Sequence, residues 1–144
     1  MIRLDYNLIV KAGEWTGKQD RILAERAFRY TDELLKKEYV VNGPHDFSTA
    51  CKLPTIFMQE STSSSGSIAR VAHVGRLLNV QKAEKKLILD FEYDGDVPPI
   101  SNSFLERIAP DLHITPDEFG TEHWAIKRVN IFEVLFRYAE DAIY

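Results

Sequence analysis

The stretch Ile68–Tyr93 most limits what this chain can become, because it reads as two long strands joined by a short turn. In its second half Leu87, Leu89, Phe91 and Tyr93 alternate with Lys86, Ile88, Asp90 and Glu92. That is the period-2 pattern of a strand with one buried face. In its first half Gly75 breaks the alternation: Ala69, Val71 and His73 share one face before it, and Leu78 and Val80 continue on the other parity. A glycine at such a switch predicts a bulge or bend, the device that curves a sheet toward a barrel.

Around this hairpin the chain offers strands first and helices later. Ile2, Leu4, Tyr6, Leu8 and Val10 alternate with Arg3, Asp5, Asn7 and Lys11, which predicts a half-buried first strand. Leu23, Ala27, Tyr30 and Leu34 then recur at helical spacing and predict a helix over Lys18–Glu38. Thr16 is its expected N-cap, with Asp20 in the first turn. Such a helix would be about 30 Å long, enough to cross a small sheet. Asn42-Gly43-Pro44 is a turn, and Thr55–Gln59 a short strand after Pro54. Ser61–Gly66 is a run of small polar residues that reads as a flexible loop.

After Asp94-Gly95-Asp96 and Pro98-Pro99 the pattern changes. Ser103 with Glu106, Thr115 with Glu118, and Asn130 with Glu133 have the capping-box form. They predict helices over Phe104–Ala109, Pro116–Phe119 and Ile131–Ala142, with a closing strand over Glu122–Arg128. Strands grouped in the middle with helices at the ends indicate an α+β fold rather than alternating βαβ units. The expected architecture is a curved antiparallel sheet or small partly open β-barrel. A long N-terminal helix packs on it, and the C-terminal part is helical. The 144 residues suit one domain, 1–144.

Composition narrows function mainly by exclusion. A net charge of −4 argues against a general phosphate-backbone binder, which needs a basic surface. The single cysteine, Cys51, permits no internal disulfide and suits a reducing cytoplasm. Asp5 and Asn7 interrupt what a signal peptide would need, and no apolar run reaches a membrane span, so a soluble, membrane-free chain is expected.

Two sets of residues are candidate binding groups. His123, Trp124 and Lys127 combine a stacking face with charge; if their segment is a strand, Trp124 and Ile126 face the core while His123 and Lys127 face solvent. On the first long strand Arg70 and Arg76 share parity, with His73 opposite. They form either a basic stripe for phosphate or RNA, or cross-strand pairs with Asp90 and Glu92.

Other chemistry is weaker. Asp90, Glu92, Asp94 and Asp96 are oxygen donors of the kind Mg²⁺ takes, and Glu84-x-Lys86 has the spacing of one nuclease class, but it sits at a turn. The histidines lack zinc spacing, no phosphate loop ends Gly–Lys–Ser/Thr, and Cys51 with His45 lacks a local signature. Leu105–Phe119 resembles a helix-turn-helix over about fifteen residues, but Pro110 and the acidic pair Asp117-Glu118 suit a capped corner better. No catalytic residue, cofactor or metal is expected. The reading is a non-catalytic module for another protein, of the inhibitor, immunity or adaptor type and of microbial character, with the turn Val97–Ile100 offering apolar residues. A nucleic-acid or nucleotide binder comes second and a metal-dependent hydrolase third.

Overall fold

A computed structural model describes residues 5–40, 46–61 and 70–138. Its frame is a seven-stranded sheet: β1 (Tyr6–Lys11), β2 (Gln19–Leu23), β3 (Pro54–Gln59), β4 (Val71–Ala83), β5 (Lys86–Tyr93), β6 (Ile100–Ser101) and β7 (His123–Lys127). The order across it is β2-β5-β4-β3-β1-β7, with β6 beside β4. β1 and β3 are parallel and the other pairs antiparallel. The sheet is therefore mixed and open. Beyond β2, Ala27 makes an isolated bridge to Trp124 of β7 that does not extend into a ladder, so among the described residues the sheet stays open.

Three short helices complete the fold: α1 (Glu33–Tyr39), α2 (Asn102–Arg107) and α3 (Ile131–Arg137). None among the described residues is long and apolar enough to cross a membrane. The expected long helix over Lys18–Glu38 is not formed. Its first third is β2, where Asp20 and Ile22 are buried and Gln19 and Arg21 exposed. Phe28 and Tyr30 then take left-handed backbone angles, φ 63° and 59°, which a right-handed helix cannot contain. Asp32 begins the real helix by accepting from the Leu34 amide at 2.9 Å. The apolar stripe was partly coincidence, since Leu34 is 74% exposed while Leu35 and Tyr39 are buried. Thr16 and Asp20 do bond to each other, but in the turn that leads into β2.

Both faces of the sheet are covered, which alters the reading of its central strands. Tyr6, Leu8 and Val10 pack with Ile56, Met58, Val74, α2 and α3 on one face. Ile9, Phe57, Leu77, Leu87, Leu89, Phe91 and Trp124 pack with Phe28, Leu35 and Phe47 on the other. β1 is thus buried on both sides rather than half-buried. The buried amide of Asn7 is satisfied there: it donates to the Ala50 carbonyl and to Thr55 Oγ1, and accepts from the Trp124 indole at 2.9 Å.

The hairpin β4–β5 carries the expected alternation, with Leu87, Leu89 and Phe91 buried. Its irregularity lies at Leu78, between Leu77 and Asn79, and not at Gly75. Leu78 is the extra residue and is exposed, while Leu77 is buried. Gly75 is needed for a different reason: a Cβ there would sit 2.1 Å from the Glu92 carbonyl oxygen of the paired strand. The start of the first long strand and nearly all of Ser61–Gly66 lie outside the described residues, as does Asn42-Gly43-Pro44.

The C-terminal caps are largely where expected. Asn130 caps α3, whose predicted end at Ala142 lies outside the described residues. Thr115 and Glu118 form a capping box on a 3-10 turn, Pro116–Gly120. α2 begins two residues early, capped by Ser101 rather than Ser103. Leu105, Ile108, Leu112 and Ile114 are buried beneath this corner, and no second full helix follows α2 before β7. In the proline turn Ile100 is buried and Val97 half-buried against the core.

Candidate functional site

The strand β7 forms where expected, but neither of its faces is solvated. The 3-10 turns that follow α2 cover the side expected to be wet, so His123 is fully buried and Lys127 is 7% exposed. Strand parity places both on one face. The 3-10 turn Pro116–Gly120 brings Glu118 against them. His123 Nε2 lies 3.1 Å from Glu118 Oε1, and Lys127 Nζ lies 2.9 Å from the same oxygen. The Thr115 amide also donates to this carboxylate, at 2.6 Å. Burial pushes the Glu118 carboxyl up, but the bonds from His123, Lys127 and Thr115 outweigh it and hold the group below its ordinary value. The other ring nitrogen of His123 faces the Thr121 carbonyl at 2.6 Å. Both nitrogens thus face oxygens that only accept.

Lys127 reaches further. Its ammonium donates to the Tyr30 carbonyl at 3.0 Å, holding the left-handed segment 28–30 against β7. The Tyr30 ring meets the His123 ring edge-on, with centroids 5.0 Å apart. Burial, with Glu118 second, raises the Tyr6 phenol well above its ordinary value; its hydroxyl donates to the Leu112 carbonyl. Glu118 and His123 are both fully buried. The trio therefore fastens three segments together, with only the edge of Lys127 reaching solvent. Trp124 points to the opposite face, packed by Phe28 and Phe47.

The other candidate set sits on β4 and just before it, separated from β7 by β3 and β1. Arg76 pairs with Glu92 across the ladder at 2.6 Å, and both are largely exposed. Arg70 donates to the Glu60 carbonyl at 2.8 Å. His73 stacks on Tyr93, with centroids 4.1 Å apart and planes within 9°. Burial lowers the His73 pKa, and burial with the nearby Asp20 pushes Tyr93 up to about 12. Asp90 accepts from Gln19, and Asp94 from the Asp96 amide. Among the described residues no three His, Cys, Asp or Glu side chains are placed to hold a metal ion. Cys51 is half-buried, its thiol pushed up by burial and by Asp46.

Sequence reasoning found His123 and Lys127 but not their partner. Glu118 was visible only as the third residue of a capping box, and no single-element spacing links it to β7. Asn7 and Tyr30 carried no signal.

Open surface lies elsewhere. A groove of about 870 Å³ crosses β4 where β3 begins, lined by Cys51, Pro54, Leu78, Tyr93 and Phe132. Two more, of about 810 and 470 Å³, flank Tyr30. Comparison with known proteins returns no match, whether to a family model, a curated protein or a solved structure.

Proposed function

We propose that this chain is a non-catalytic binding module whose partner is another protein. One observation carries the reading: the 870 Å³ groove has large apolar side chains in solvent at its rim, Leu78 at 53% and Phe132 at 47% exposure. Phe136, one helical turn beyond Phe132, is 84% exposed. Exposed aromatic and aliphatic groups beside a concavity are what a protein interface buries. β4 also runs past the start of β3, since Pro54 pairs with Arg76, and beyond it Leu77–Ala83 have no strand neighbour on that side among the described residues. The titratable clusters, by contrast, are engaged in internal contacts. An inhibitor, immunity or adaptor component has these properties, and the lone thiol suits a reducing cytoplasm.

The test is capture of partners from the source lysate by the tagged chain, with and without nuclease and at roughly 0.5 M salt, where phosphate-mediated binding collapses. A stoichiometric protein that survives both, and is lost with Leu78→Asp or Phe132→Asp, supports the reading. Recovery of nucleic acid, or loss of every partner with nuclease, overturns it in favour of a nucleic-acid binder.

A further inference from the structure

The groove beneath Tyr30 differs in chemistry from the one across β4. Its floor is apolar, with Ala109, Ile114 and Phe119 between 4% and 7% exposed. Its walls carry two carboxylates, Glu106 from α2 and Asp117 from the 3-10 turn Pro116–Gly120. No lysine, arginine or histidine lines it, and neither carboxylate has an ion-pair partner among the described residues.

Behind the Ser61 end, outside the lining, lies a buried amide. Asn102, 5% exposed, donates its amide to the Gln59 carbonyl at 2.7 Å and to Ser61 Oγ at 2.9 Å, and Ser61 lines the groove. The Gln59 carbonyl can only accept, which fixes the amide orientation and leaves the Asn102 oxygen as the atom without a donor. Asn102 and Glu106 are one turn apart on the same face of α2. The groove itself is therefore acidic at its walls and apolar at its base.

We infer that this groove docks a cationic, apolar segment of a protein partner: lysine or arginine side chains flanking a leucine or aromatic residue. The inference rests on the reading of the chain as a binding module and gives it a partner chemistry. Glu106 and Asp117 are both exposed, so the charges lie in water around an apolar centre. That is the rim-and-core layout of a protein interface, whereas an enclosed small-molecule pocket buries its few polar groups. The apolar side chain occupies the floor between Ile114 and Phe119, and the cations reach the two carboxylates.

Fluorescence anisotropy with short labelled peptides tests this. One peptide alternates Lys/Arg with Leu/Phe, a second replaces its cations with Glu/Asp, and a third replaces its apolar residues with Ser. The first is expected to bind and the other two not. Glu106→Lys with Asp117→Lys is expected to weaken it roughly ten-fold or more, since both cations lose their partners and meet like charge. Phe132→Asp, at the other groove, is expected to leave the affinity unchanged. Both reversals lie at exposed positions, and an unchanged circular-dichroism melt verifies the fold. Failure of the basic peptide to bind, equal binding of the acidic one, or indifference to the charge reversal overturns the proposal. A lysate partner that Phe132→Asp abolishes and the charge reversal leaves intact removes this groove while keeping the binding module.

Discussion

Two carboxylate–cation contacts of similar length sit in opposite settings in this molecule. Glu118 and Lys127 meet at 2.9 Å with side-chain exposures of 0% and 8%; Arg76 and Glu92 meet at 2.6 Å with exposures of 66% and 51%. Distance alone would rank the second pair higher. The surroundings reverse the order. Charges about 4 Å apart interact by about 1 kcal/mol in bulk water and by about 4 kcal/mol at the effective dielectric of a protein's outer layers. The interior contact also carries the cost of stripping water from both charged groups, so its members depend on each other far more than they add to stability. Charge spacing along the chain shows neither property; what decides is how many layers of backbone lie outside the pair.

The largest expected effect comes from removing the shared carboxylate. Glu118→Ala leaves the buried Lys127 ammonium without its carboxylate and His123 Nε2 without its partner, and should cost about 3–5 kcal/mol in chemical denaturation. Replacing the whole trio, Glu118→Leu with His123→Leu and Lys127→Met, should recover much of that loss. A triple variant no more stable than Glu118→Ala would mean the trio is worth more as charges than as packing.

Next comes a change beside the exposed pair. Gly75→Ala should cost about 3 kcal/mol, because the new methyl meets the backbone of β5 and the ladder must part. Its neighbour Arg76 should matter little, so a mild effect of Gly75→Ala would show that β4 and β5 separate easily there.

Acid tests the buried contact. Glu118 titrates below its ordinary value when folded, so its contribution is complete above the unfolded carboxyl value of about 4.3 and is lost as pH falls through the lower folded one. Wild type should lose stability on that descent, and Glu118→Gln, though less stable at neutral pH, should show a shallower loss. Parallel acid profiles would assign the descent to other carboxylates.

The smallest effect belongs to the surface. Arg76→Ala and Glu92→Ala should each stay within about 0.5 kcal/mol of wild type, and their double-mutant cycle should give a coupling that fades with salt. A coupling that persists in high salt would put the pair in the same class as the buried trio.

What was legible in the chain follows the same division. The hairpin β4–β5 was readable because one face of β5 is buried and the other is not, so alternation survives in the residues. Strands covered on both sides hide their parity: β1 and β7 are buried throughout, and a one-face rule misplaced Asn7, His123 and Lys127. The false helix over Lys18–Glu38 arose because four apolar residues kept helical spacing through a strand, a turn and two left-handed residues that no pattern announced. Local caps fared better, since Thr115 and Asn130 act within four residues of themselves. The buried trio lay between these cases: two members shared a strand and the third was recognisable only for its local role.

The place of β1 in the sheet has a kinetic consequence. β1 lies between β3 and β7, and its Asn7 bonds to a tryptophan 117 positions later. Every ladder hydrogen bond on one of its edges waits for β7. Such topology has high contact order, and high contact order slows folding, because loop closure comes before the contacts that reward it. During synthesis the apolar residues of β1 emerge long before β7 exists to pair with them. Until then those residues are exposed apolar surface, and the native sheet assembles only once β7 is available to pair.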